Sequence, residues 1–118
     1  MNHPESHIQR ACVQWFRLQY PEYARLLFAV PNGGARDAVT GRVLKAEGVV
    51  AGVADLLLFV PSNGHHGLCL ELKTEKGRQS EAQKEWQHTV QQQGYKYIVV
   101  RSLQDFREQV NDYIYRKL

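Results

Sequence analysis

Three side chains carry the chemistry most readable in the sequence. Asp55 heads the apolar run 55–60 (DLLLFV), and after a polar stretch the chain returns through 67–73 (GLCLELK), which sets Glu71 and Lys73 two residues apart. On a strand, residues two apart point to the same side, so Glu71 and Lys73 share one face while Leu70 and Leu72 take the other. A hairpin register that brings Asp55 beside them makes two carboxylates and an ammonium converge. Paired acids without His or Cys form a hard, oxygen-rich site suited to Mg²⁺ or Mn²⁺ rather than zinc. A lysine adjoining such a cation can orient an attacking water or stabilise charge on a phosphoryl group. Taken alone, Glu-x-Lys is also a common exposed charge pair, and a mutual ion pair would equally relieve the cost of burying either charge.

The elements that must position these groups follow from the spacing of apolar residues. Ile8, Ala11, Cys12, Trp15 and Phe16 recur at steps of three and four, predicting an amphipathic helix from residue 4 to about 20 that Pro21 ends. A short strand is expected over 26–30, closed by a turn or loop at 31–34, and a short helix over 40–47 with Thr40 as cap and Gly48 as stop. Strands follow at 55–60 and 67–73, joined by a polar turn with His65 and His66 at its tip. A helix over 80–93 carries Ala82, Trp86, Thr89 and Val90 on its inner stripe and stops at Gly94. A strand over 95–101 then leads to a final helix capped by Ser102, with Leu103, Phe106, Val110, Tyr113 and Ile114 in helical period. The order α, β, short α, β, β, α, β, α predicts an α/β fold with a mixed sheet flanked by helices on both faces. Trp15 and Trp86 fall on inner stripes, which favours core packing over base stacking.

Composition bounds the partners. The chain has 118 residues, 15 of them Lys or Arg and 12 Asp or Glu, for a net charge of +3, and 43% are hydrophobic. This is the make-up of one ordinary globular domain spanning 1–118, and it excludes disordered and collagen-like classes. No apolar stretch approaches the roughly 18–20 residues that span a bilayer, and the N-terminal residues Glu5, His7 and Arg10 stand where an export signal would be apolar. A cytoplasmic location with no membrane partner is expected. Cys12 and Cys69 sit in apolar segments without metal-ligand spacing, which favours free, buried thiols. The pI of about 9.0 hints at an anionic partner. His3 and His7 have helical i,i+4 spacing but no third ligand for zinc.

Several linked segments sharpen this reading. The strings PNGGAR (31–36), GRVLKAEG (41–48), AGVADLLLF (51–59), HGLCLELKTEKGRQSEAQ (66–83) and GYKYIVVRS (94–102) occur in an order and spacing that resemble the VRR-NUC domain. That family is a branch of the PD-(D/E)XK nuclease superfamily, and the resemblance covers essentially the whole chain. It implies a restriction-endonuclease-like core. It also implies that Asp55 and Glu71 bind a divalent metal with help from the backbone carbonyl of Leu72, and that Lys73 is the catalytic lysine. Glu5 matches an additional acidic position ahead of the core, although a carboxylate at a helix start is also favoured by the macrodipole. Gln83 matches a polar position on the following helix that faces the active site. The chain departs from the family pattern at Ala54, where proline usually precedes the metal-binding aspartate; proline fixes backbone there and supplies no ligand.

The resemblance sets the loop of Asn32, Gly33, Gly34 and Arg36 beside the catalytic face. Glycines allow close backbone approach to a phosphate and arginine can grip it bidentately, while a plain turn explains the glycines equally well. Lys45, Lys76 and Arg78 could add phosphate contacts. The expected activity is therefore Mg²⁺- or Mn²⁺-dependent hydrolysis of DNA phosphodiesters, with no organic cofactor. No helix-turn-helix or zinc-finger pattern is present, so structure-selective cutting of duplex or branched DNA, such as flaps or four-way junctions, is expected over sequence-specific cutting. A homodimer would present two sites to two strands. Two rivals are a non-catalytic nucleic-acid-binding or assembly module on the same fold, and a sequence-specific restriction-type endonuclease.

Overall fold

In a computed structural model, residues 4–31 and 38–115 are described. Four strands form one sheet in the order β1-β2-β3-β4: β1 (Leu27–Ala29), β2 (Leu56–Leu58), β3 (Leu68–Leu72) and β4 (Lys96–Val100). The first three pair antiparallel, whereas β4 lies parallel to β3. That last pairing needs a crossover, supplied by α3 (Glu81–Gln92). Helices α1 (Pro4–Gln19) and α4 (Leu103–Tyr115) pack on one face of the sheet and α3 on the other. This is the expected mixed sheet between helices.

The face under α1 and α4 is the larger core. Cys12, Phe16, Leu56, Leu58, Leu68, Leu70, Leu72, Val100, Phe106 and Val110 are buried there together. On the face under α3, Ala54, Cys69 and Tyr97 are buried, with Trp86, Val90 and Val99 packed against them. Both cysteines are free and buried, and burial pushes their thiols up, to about 12 for Cys12 and about 11 for Cys69, so both stay neutral at ordinary pH.

Local details depart from the sequence reading in places. Pro21 does end α1, but the chain then makes a 3₁₀ helix (Pro21–Leu26), which takes Leu26 out of the strand expected over 26–30. Proline at the start of that helix is pre-set for the turn, and Tyr20 stays tied to α1 through its N–H to the Phe16 carbonyl at 2.8 Å. Helix α2 spans Ala38–Ala46, so Thr40 lies inside it and is not the cap. Thr89 is exposed instead of facing inward, and its hydroxyl donates to the Glu85 carbonyl one turn back. The connection from β2 to β3 doubles back at Asn63-Gly64, both in the left-handed region, with Ser62 and His65 exchanging backbone hydrogen bonds across the turn. An Asn-Gly pair suits such a two-residue turn, so it forms the tip, and His65 and His66 flank it. His66 packs edge-on against Tyr95. Ser102 caps α4 as expected, accepting from the Asp105 N–H. Asn32, Gly33, Gly34 and Arg36 lie outside the described residues, as does His3.

Candidate active site

Two strand ends and the first turn of α3 build the site. Leu56 stands opposite Leu70 in the antiparallel register, so continuing it one residue brings Asp55 level with Glu71. There Asp55 Oδ2 accepts the Leu72 N–H at 2.7 Å, which fixes its carboxylate against the edge of β3. Glu71 points to the α3 side of the sheet and is only 1% exposed. Tyr97 on β4 donates its hydroxyl to Oε1 at 3.0 Å, and Gln83 on α3 donates its amide to Oε2 at 2.8 Å. Lys73 lies two residues on, with Nζ 3.9 Å from Glu71 Oε2 and its side chain 12% exposed. Asp55, Glu71, Lys73 and Gln83 are thus brought together around one point.

Electrostatics at that point are dominated by burial. Removal from water pushes the Glu71 carboxyl up to about 8, and the Asp55 charge and a direct hydrogen bond to Asp55 add to the rise. The Tyr97 hydrogen bond and the Lys73 ammonium act the other way without cancelling it. At neutral pH Glu71 therefore holds a proton against Asp55. A cation placed there would do the same work as that proton, by relieving the repulsion between two crowded carboxylates.

A further layer holds these groups in place. Gln79 donates its amide to Gln87 at 2.9 Å and to the Tyr97 hydroxyl at 3.3 Å, so the hydroxyl's own proton is left for Glu71. Burial and the Glu71 charge push the Tyr97 phenol well up, which keeps it a donor. Ser80 and Gln83 form a reciprocal capping box at the start of α3, with Gln83 Oε1 accepting the Ser80 N–H while its Nε2 reaches Glu71. Gly52, at φ +85°, passes so close to that turn that a Cβ would sit 2.3 Å from the Ala82 carbonyl oxygen. Only glycine lets the segment leading to Asp55 rest directly on the backbone that carries Gln83. Beyond Lys73, Arg101 Nη1 donates to the carbonyls of Thr74, Glu75 and Gly77 and fixes the following loop.

The remaining expected residues are more dispersed. Glu5 lines a cleft of about 620 Å³ along α1, and Asp55 lines it too. Among the described residues no three His, Cys, Asp or Glu side chains cluster closely enough to hold a metal, so Glu5 stands off from the acid pair. Lys45, Lys76 and Arg78 are exposed. Tyr97, Gln79, Gly52 and Arg101 were not foreseen from the sequence. Tyr97 had a legible signal: it alternates with Tyr95 and Val99 on one strand face, and a parallel pairing with β3 puts that face beside Glu71.

The donor set fits a hard divalent ion. Mg²⁺ keeps several waters and takes one or two carboxylates along with substrate phosphates, not a closed cage of protein ligands. Asp55 and Glu71, with the Leu72 carbonyl at the same strand end, supply that kind of partial shell.

The chain compares with known proteins as follows. Residues 3–104 match the sequence profile of the VRR-NUC domain. A solved structure described as a VRR_NUC domain protein superposes with a TM-score of 0.85 at 22% identity, covering 98% of this chain and 92% of that one. At that identity the likeness is one of fold. No curated protein matches the chain. The profile match spans most of the sequence, and the chain therefore belongs to the VRR-NUC family and carries a nuclease-type domain.

Proposed function

We propose that this chain is a metal-dependent DNA endonuclease that hydrolyses phosphodiester bonds and selects branched structures over base sequence. The observation that supports it best is Glu71: a carboxyl 1% exposed, set against Asp55 and 3.9 Å from Lys73, with both oxygens already oriented by Tyr97 and Gln83. Folding alone has no use for such a group, since leucine serves on the opposite face of the same strand. Hydrolysis joins a water oxygen to phosphorus and breaks one phosphorus–oxygen ester bond, and the departing oxygen takes a proton. Asp55 and Glu71 hold the divalent ion, which when bound neutralises charge on the phosphate oxygens. Lys73 adds positive charge beside the reacting phosphate, and Gln83 with Tyr97 keeps Glu71 in its binding rotamer.

The reading is tested with linear, flap and four-way-junction DNA in Mg²⁺, Mn²⁺ or EDTA. Branched substrates are expected to be cut only with metal, and Asp55→Ala or Lys73→Ala to lower the rate by on the order of a thousandfold while DNA binding survives. Undiminished cutting by Asp55→Ala would remove the assigned mechanism. Discrete fragments from linear duplex would favour a restriction-type enzyme, and binding without cutting a non-catalytic module. The proposal includes a homodimer that offers one site to each strand, checked by light scattering, where a monomeric mass at working concentration contradicts it.

A further inference from the structure

We infer that the cleft along α1 is a track for the backbone of a DNA strand, with Arg10 and Arg17 as its phosphate clamps and Leu18 as an apolar contact at its far end. The inference rests on the nuclease reading and extends it to residues that reading does not use. The cleft, about 620 Å³, is lined by Glu5, Gln9, Arg10, Gln14, Arg17 and Leu18 of α1 and by Asp55. Through Asp55 it is continuous with the candidate active site.

The helix presents a consistent face. Positions 5, 9, 13 and 17 and positions 6, 10, 14 and 18 all line the cleft, each row repeating every four residues; the first row starts beside the buried stripe of Cys12 and Phe16, and Arg10, Gln14 and Arg17 turn away from it. Arg10 and Arg17 are exposed, and among the described residues neither has a hydrogen bond or ion pair. Some cations of the chain are occupied, since Arg101 binds three carbonyls, Arg107 lies over Trp15, and Lys73 and Lys84 pair with glutamates, whereas Lys45, Lys76 and Arg78 are exposed as Arg10 and Arg17 are but do not line this cleft. The two arginines of the cleft are thus free to bind an anion from outside. Seven residues of helix separate them by about 10 Å along its axis, a span over which one strand of DNA offers more than one phosphate. Gln9 and Gln14 add amide donors for phosphate or sugar oxygens. Leu18, at 77% exposure, leaves an isobutyl group in water at the end of the cleft, where a base or sugar face can cover it.

The test is fluorescence anisotropy with a labelled single-stranded oligonucleotide in EDTA, so that binding is read without cutting. Wild type is compared with the Arg10→Gln/Arg17→Gln double variant and with Leu18→Ala over a range of salt. The double variant is expected to bind at least about tenfold more weakly at low salt, with a log–log salt slope shallower by about 1.4, or about 0.7 for each lost phosphate contact on a single strand. Leu18→Ala is expected to weaken binding by a few-fold with no change in slope. Thermal melting of both variants should match wild type because these side chains are exposed. In Mg²⁺ the double variant should raise KM and leave kcat near wild type. Unchanged affinity and slope in the double variant would overturn the strand track and leave the nuclease reading standing. Failure of the wild-type protein to bind DNA at any salt would overturn both.

Discussion

The two faces of β3 solve different problems with neighbouring residues. Leu68, Leu70 and Leu72 are fully buried against α1 and α4, in an environment with no polar demand. Cys69 and Glu71 on the other face are equally buried, yet Glu71 needs Tyr97, Gln83, Asp55 and Lys73 around it to stay there. One face stabilises the fold by excluding water. The other accepts an electrostatic cost and surrounds it with fixed donors, which is the usual sign of a site kept for chemistry. The contrast is sharp because both faces belong to the same five-residue strand.

Exchanging the two environments should give the largest effect. Leu70→Glu buries a charge where no donor waits, and is expected to cost several kcal/mol and unfold the protein at ordinary temperature, seen as loss of the cooperative melting transition. Glu71→Gln should do the reverse in metal-free solution. The folded protein holds the Glu71 proton up to about pH 8, whereas the unfolded chain releases it near the ordinary value of 4.5. Between those values the folded state binds more protons, so stability falls as pH rises through the window and the loss is complete above about pH 8. Melting in EDTA at pH 5 and pH 9 should show that fall in wild type, on the order of a few kcal/mol, and a flatter profile in Glu71→Gln. An equal fall in both proteins would mean the burden lies elsewhere. Smaller again is Tyr97→Phe, which removes one donor from Glu71. It should change stability by about 1 kcal/mol but weaken Mn²⁺ binding by about tenfold or more, because an unsteered carboxylate is a poorer ligand.

Much of this was legible before the structure. Alternation in 67–73 put Glu71 and Lys73 on one face, while Asp55 would join them only if the hairpin register allowed it, and the observed register does. Helix ends at Gly94 and Ser102 were readable from capping chemistry, and the start of α3 near Ser80 from the apolar period. Less legible was what depends on contacts between elements. Tyr97 reaches Glu71 only because β4 runs parallel to β3, and Gly52 matters only because its loop touches α3. Thr89 looked inward by period, but a hydroxyl that can bond one turn back has no need of the core. Arg10 and Arg17 carried no signal in the sequence, and only the fold puts them in one cleft with Asp55.

The central claim is that Asp55 and Glu71 together hold a divalent cation. Calorimetric titration of Mn²⁺ into the metal-free protein at pH 8, beside Asp55→Asn and Glu71→Gln, tests it most directly. The account predicts saturable binding by wild type, with proton release, and its loss in both variants. Binding of the same strength in the variants, with both still folded, would contradict it.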